Sequence, residues 1–480
     1  MNSKATYLNL PAIDKPLWVK VLQDILEKAI EYARNLGVDF ADIRVEQVER
    51  TIITIQDGVL KDVRSGVEVG AAIRVLYRGA WGFSSVNRIE LNELRKAIQT
   101  AYSAARALAP KVKKPVKIVE LSSKTDYVSV KFKRDPKDVS LEDKIKDYIE
   151  YEARLRKHDY VKTTTVNYAD IVGVKRYIST ENRYIEQELG ITWMYTWITG
   201  RLGDVVASVR DERGSIEGYV IWDKWDMNDV VKLVVGRLEK QLKAKPPKGG
   251  VFPAVLAPEI VGVFVHEAFG HLAEADLTTS GSAISDKIGK EIASPLVTIV
   301  DDPTIPGGFG SFKYDDEGVE TRPAVLIENG VIKEVMVDRQ YAVLLGVKPT
   351  GNARAESYKV PPLIRMRNTV MKPRDYTKEE LFEDIDYGYY LVSFRGGQAN
   401  LDGTFQVGVQ EAYEIVKGEI GEPVRNMSIS GNTLDTLREV DAVGKDFEIG
   451  FGRCGKGQTA YVSDGGPHIR VRKIVVGGVA

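Results

Sequence analysis

Two of the chain's four histidines, His266 and His271, stand five residues apart, and Glu267 directly follows the first. Neutral imidazoles are ligands for a divalent ion such as zinc, and a carboxylate that stays off the metal can take a proton from the attacking water. On that reading His266 and His271 bind the ion and Glu267 is the base. The usual spacing of such a pair is four; at five, two side chains on a regular helix are about 140° out of phase and cannot meet at one ion. A π-bulge takes up one additional residue, and Gly270, just before His271, is a place where the backbone deforms cheaply. The spacing therefore predicts a distorted or broken helix. The competing reading is a pair of histidines that cap or line a core helix and bind nothing.

A catalytic zinc usually has three protein ligands and one open position, so a third residue is needed. Glu274, three residues after His271, is placed to ligate the metal or to accept a hydrogen bond from a ligand imidazole. Asp276 is a further candidate beside it. Cys454, the only cysteine, lies in Gly452-Arg453-Cys454-Gly455, where small neighbours let the backbone approach a site. A small buried side chain is the commoner fate of a lone cysteine. His468 offers an oxyanion or substrate contact, weighed against a structural role in its Gly-Gly-Pro turn. His158, in Lys157-His158-Asp159, reads as an exposed loop residue. Glycines 307, 308 and 310 make no phosphate loop, because no Lys and Ser or Thr follow them.

The run HEAFGH followed by LAEAD resembles the HExxxH segment of the TldD family of metallopeptidases, the catalytic half of the TldD/PmbA (TldE) group. Distant stretches agree with it in order and spacing: Asp315-Asp316-Glu317-Gly318, Thr350-Gly351-Asn352-Ala353, Ile429-Ser430-Gly431-Asn432 and Gly466-Pro467-His468-Ile469. The resemblance runs from about Asp42 to Val476-Gly477-Gly478. It implies zinc as the metal, Cys454 as the third ligand and Glu267 as the base. A thiolate ligand makes zinc a weaker Lewis acid than three neutral histidines would, so a modest rate is expected.

The resemblance also implies assembly, either with a TldE/PmbA-type partner that lacks the metal motif or as a homodimer. The site is then enclosed between subunits, admitting small or unfolded peptides for trimming or degradation. Such a site binds its peptide in extended form along a strand edge. Two rivals stand beside this reading. One is a regulatory interaction protein of the gyrase-modulator kind, with a structural metal. The other is a metal-dependent amidase acting on a small molecule.

Composition narrows the classes further. The 480 residues are 43% hydrophobic and 28% charged, as in ordinary soluble domains, and long enough for two or three cores. Sixty-seven basic residues against sixty-eight acidic ones give a formal charge of -1, which does not suggest nucleic acid as a partner. Residues 1–17 lack a signal-peptide pattern, and the most apolar window, 251–265, is too short and too interrupted to span a membrane. With one cysteine, a reducing cytoplasmic setting is expected.

These residues need a scaffold, and the patterning predicts an α+β protein of two domains. An N-terminal helix and antiparallel-sheet domain is expected over 1–245, and a mostly antiparallel β domain carrying the metal helix over 246–480. Amphipathic helices are expected over 16–36 and 228–242, an alanine- and leucine-rich helix over 88–108, and a charged helix, opened by Ser140 with Asp143, to about 156. A meander is expected over 42–75, with turns at Asp57-Gly58 and Ser65-Gly66, and strands over 163–199. The run KAKPPKGG at 243–250 can neither continue a helix nor pair inside a sheet, so it marks the domain border. Beyond it a hairpin is expected about Asn329-Gly330, and Thr377 with Glu380 caps a short helix.

Overall fold

The structure is a computed structural model and describes residues 17–478. Pro16, expected in the first turn of the first helix, lies outside them. Seven strands build the first sheet: β1 (Phe40–Gln56), β2 (Val59–Tyr77), β3 (Ala80–Val86), β4 (Lys124–Val128), β5 (Val161–Ser179), β6 (Arg183–Leu202) and β7 (Val205–Ser215). They run in the order β3-β2-β1-β5-β6, with β4 and β7 both on the outer edge of β6. All pairs are antiparallel except β4 with β6.

Asp57 and Gly58, at φ 50° and 78°, make the tight turn between β1 and β2, as the Asp-Gly pair predicts. Ser65-Gly66 is not a turn. β2 runs straight through it, with Ser65 opposite Thr51 and Gly66 opposite Arg50, because β1 offers a continuous ladder from Phe40 to Thr54, and the one register shift falls beyond, between Thr54 and Ile55. The next reversal falls at Arg78-Gly79, again with both residues at positive φ.

All the large helices of this half cover one face of the sheet. α1 (Leu17–Asn35) and α2 (Leu91–Leu108) pack over Ile43, Val45, Ala71 and Ile73. α3 (Leu141–Arg156) and the helix Met227–Lys243 pack over Ile53, Ile55, Tyr168 and Met194. Ser140 caps α3, accepting the Asp143 N–H at 3.0 Å and donating its own hydroxyl to the Asp143 carboxylate at 2.8 Å.

The period-2 alternation of the strands gives their other face a mix of apolar and charged side chains. It packs on the second half of the chain, where Trp193 meets Phe309 and Tyr177 meets Tyr314. Ion pairs cross the same junction, Arg74 to Glu317 at 2.8 Å and Lys175 to Asp316 at 3.0 Å. The Asp315–Gly318 stretch is therefore part of a largely buried junction between the halves. Asp315 spends its carboxylate on the backbone N–H groups of Glu317, Val319 and Ala353.

In the second half, the strands Gly250–Leu256, Ile469–Gly478, Met427–Asn432, Thr404–Val416 and Tyr387–Ala399 each pair with the next, and the last closes back onto Gly250–Leu256. The result is a small closed sheet. A second, six-stranded sheet ends in Asn368–Met371, Thr459–Gly466 and, at its edge, Glu448–Gly455. The Asn329-Gly330 hairpin is present, with both residues at positive φ. Thr377 and Glu380 cap each other reciprocally, at 3.3 and 2.7 Å, over a single 3₁₀ turn Glu379–Leu381. The main core, including Leu256, Phe264, Phe269, Leu391 and Val407, lies between the closed sheet and the second sheet. The metal segment threads through it.

Candidate metal centre

The metal segment leaves the strand Gly250–Leu256, starts a helix at Pro258–Val263, and then changes pitch. Phe264–Gly270 is a π-helix seven residues long, and a 3₁₀ turn, His271–Ala273, follows it. In a π-helix the bonds run from i to i+5, so residues five apart share a face. That brings the His266 and His271 rings to 5.4 Å between centroids. The predicted distortion is thus present and longer than one bulge. The role of Gly270 differs from the expected one: its φ and ψ, −56° and −46°, are ordinary for a helix. A Cβ there would stand 2.1 Å from the sulfur of buried Met366, so glycine leaves room for the end of that side chain, which any larger residue would have to displace.

Cys454 arrives on the edge strand Glu448–Gly455, 183 residues further along the chain, with its Sγ 3.4 Å from His271 Nε2. One donor atom from each of His266, His271 and Cys454 lies within 4.8 Å of the others. Ligands of a tetrahedral zinc, bound at about 2.0–2.3 Å, are separated by roughly 3.3–3.8 Å, so small side-chain rotations close the set. The donor chemistry, two imidazoles and a thiol, is that of a zinc site. His266 Nδ1 is buried without a hydrogen-bond partner.

The electrostatics suit a cation. Burial works against charge on all three residues, but the neighbours prevail. The two imidazoles pull the Cys454 thiol down to about 4, and the thiolate pushes His266 up to about 9 and, with Glu274, His271 up to about 10. Glu267 points its carboxylate to within 3.8 Å of His271 Nε2 and lines the cleft above the cluster. Burial pushes Asp464, on the same cleft wall, up to about 6.

Glu274 is fully buried and accepts a hydrogen bond from His271 Nδ1 at 2.8 Å. Burial opposes its charge, yet the His271 hydrogen bond holds its carboxyl below the usual range. Asp276 pairs with Lys456 at 2.7 Å, and Lys456 also reaches Glu274 at 3.2 Å. Arg365, buried, donates to the Cys454 carbonyl at 2.7 Å. Lys456 and Arg365 were not singled out in the sequence, where each is one cation among 67. Their partners are distant in the chain, and only the position of Lys456 two residues after Cys454 hinted at it.

His468 is not brought to the cluster. Its Nδ1 bonds Asp446 at 2.7 Å and its Nε2 bonds Tyr390 at 3.0 Å, so both nitrogens are committed to holding strands together. This corrects its candidacy as an oxyanion or substrate group. His158 is exposed, as expected.

The cleft over Glu267 and His266 has a volume of about 440 Å³. Its walls come from both halves of the chain: Arg210 and Glu212 on β7, Phe394 and Gly397 on the closed sheet, and Gly450 to Arg453 on the edge strand. Among the described residues, no helix is long and apolar enough to cross a membrane.

Comparison with known proteins agrees with this architecture along the chain. Residues 41–105, 134–242 and 249–478 match, in turn, PmbA/TldA metallopeptidase domain 1, the central domain and the C-terminal domain. A zinc metalloprotease TldD homolog of Saccharolobus solfataricus is 42% identical over 94% of this chain and 99% of its own. A metalloprotease of Methanothermobacter thermautotrophicus is 39% identical over 92% of this chain and 96% of its own. Among solved structures, TldE from Thermococcus kodakarensis superposes with a TM-score of 0.78 at 22% identity, over 95% of this chain and 100% of that one. A Thermotoga maritima chain, described as a proposed modulator of a DNA gyrase, gives the same TM-score at 21% identity, with the same two coverages. From the three matched domains and the relatives that span it almost end to end, the chain belongs to the TldD/PmbA family of metallopeptidases.

Proposed function

We propose that this chain is a zinc-dependent peptidase that hydrolyses small or unfolded peptides, with His266, His271 and Cys454 holding the metal. The observation that carries the reading is the convergence of two imidazoles and a thiol within 4.8 Å, beside a free carboxylate on an open cleft. Zinc held there supplies a Lewis acid that polarises the scissile carbonyl and acidifies the attacking water. Glu267 takes the proton of that water and delivers it to the leaving amine. Glu274, through His271 Nδ1, keeps the opposite ring nitrogen directed at the centre.

The edge strand Glu448–Gly455 pairs on one side only and lines the cleft, which offers an extended peptide a backbone to pair with. This supports peptides, in extended form, as the substrate class. Assembly with a TldE-type partner, or as a homodimer, and a cytoplasmic location are part of the same reading. So is a domain border at residues 245/246, supported by the fact that β1–β7 pair only among themselves. The likeness to the Thermotoga neighbour is one of fold alone, whereas the metal cluster favours hydrolysis. The experiment is hydrolysis of unstructured peptides by the zinc-loaded chain, alone and with a TldE-type partner, set against Glu267→Gln. Equal activity in wild type and Glu267→Gln would overturn the peptidase reading.

A further inference from the structure

Next to the metal cleft is a second cavity of about 210 Å³, between the face of the first sheet and the hairpin that carries Cys454. Arg453 lines both spaces, so the two are neighbours across a single side chain. Three arginines line the second cavity: Arg50, Arg354 and Arg453. Arg453 lies 4.1 Å over the ring of Trp193, and no carboxylate among the described residues is within ion-pair distance of it or of Arg50. Arg354 spends its donors on the carbonyls of Met366 and Tyr461, at 2.7 and 2.6 Å, and likewise has no acidic partner. Burial and the nearby Arg365 hold its guanidinium down to about 10.

Two of the three acidic side chains of this cavity are already paired with other cations, so three arginines face one carboxylate unpaired among the described residues, that of Glu356. Glu46 lies 3.3 Å from Arg44, Asp316 lies 3.0 Å from Lys175, and Glu356 is exposed and accepts the Thr459 N–H at 3.2 Å. Arg453 is exposed and Arg50 half-buried, so both have donors available to a ligand, and guanidinium matches a carboxylate in shape and donors. The metal cleft has the opposite bias. Glu267, Glu448 and Asp464 line it, and none is within ion-pair distance of a lysine or arginine among the described residues.

We propose that this cavity is an anion subsite that receives a carboxylate of the bound peptide, so that the substrate lies in one direction across the metal. The inference rests on the peptidase reading for the identity of the ligand. A peptide laid along the edge strand has its cationic amino end toward Glu448 and Asp464 and a carboxylate toward Arg453, Arg50 and Arg354. The carboxylate comes either from the C-terminus or from an acidic side chain on that side of the scissile bond.

The test uses one unstructured peptide with a free amino end, labelled on an internal side chain, in three forms: a C-terminal free acid, the amide, and the amide with glutamate as its last residue. Binding is read by anisotropy on zinc-loaded Glu267→Gln, and hydrolysis on the zinc-loaded wild type. Tighter binding of the acid than of the amide, by about 10- to 100-fold, is expected. In Arg50→Gln/Arg453→Gln the difference should shrink toward one, through KM rather than kcat and with zinc content unchanged. Restored binding of the glutamate-ended amide assigns the subsite to side chains; failure to restore it assigns the subsite to the C-terminus. Equal binding of acid and amide in protein with intact arginines overturns the inference even if hydrolysis is robust. Discrimination in binding without any hydrolysis by wild type would instead overturn the peptidase reading and leave the subsite standing.

Discussion

Glu274 accepts a 2.8 Å hydrogen bond from His271 Nδ1, and this bond turns His271 Nε2 toward the Cys454 sulfur, 3.4 Å away. One buried carboxylate thus fixes both the tautomer and the direction of a ligand ring. Replacing it with leucine leaves the ring free to rotate and removes the negative charge behind the metal. Glu274→Leu should lower zinc affinity by roughly 10- to 100-fold, read by chelator competition, while far-ultraviolet dichroism stays native. Unchanged affinity would remove Glu274 from the account.

Glu267 acts on the substrate and not on the metal. Glu267→Gln should therefore keep its zinc and lose about 10²- to 10⁴-fold in kcat. Loss of zinc together with activity would make Glu267 a ligand and require a different base.

Zinc uptake should depend steeply on pH. Without metal, Cys454 is a thiolate above about pH 4, while the imidazoles stay protonated until about pH 9 and 10. Between those limits zinc displaces protons from the histidines, not from the thiol. Affinity should rise with pH up to about 10, with about two protons released per zinc at neutral pH, measured by calorimetry in buffers of different ionisation enthalpy. A flat profile with no proton release would contradict the charge state assigned to the cluster.

The Gly270–Met366 contact should be visible in stability. Gly270→Ala puts a Cβ 2.1 Å from the Met366 sulfur and should cost about 1–3 kcal/mol by denaturant unfolding. In Gly270→Ala/Met366→Ala the two losses should not add, because the second change makes room for the first. Strict additivity would separate the two residues.

Much of this centre is legible in the sequence because its parts are local. The five-residue spacing of His266 and His271 conflicts with a regular helix, and that conflict alone predicts a change of pitch. Asp57-Gly58 and Asn329-Gly330 specify turns through the positive φ that their residues tolerate. Ser65-Gly66 misleads because a turn-forming pair can also sit in a long ladder, and the deciding partner, β1, is a non-local fact. The same holds for Lys456 and Arg365, whose roles depend on contacts across sheets. Cys454 belongs to the centre by geometry that no spacing encodes, and only the family resemblance pointed to it. For His468 the sequence leaves a substrate contact and a structural role in its turn both open, and Asp446 and Tyr390 hold it in the structural one.

The central claim is that one zinc is held by His266, His271 and Cys454, and the most direct measurement is metal content by mass spectrometry on wild type, His271→Ala and Cys454→Ala. The account predicts about one zinc per chain in the wild type and loss of it in both variants. Zinc retained in Cys454→Ala but lost in His271→Ala would move the third ligand to Glu274, and no metal in the wild type after zinc is supplied would contradict the peptidase reading altogether.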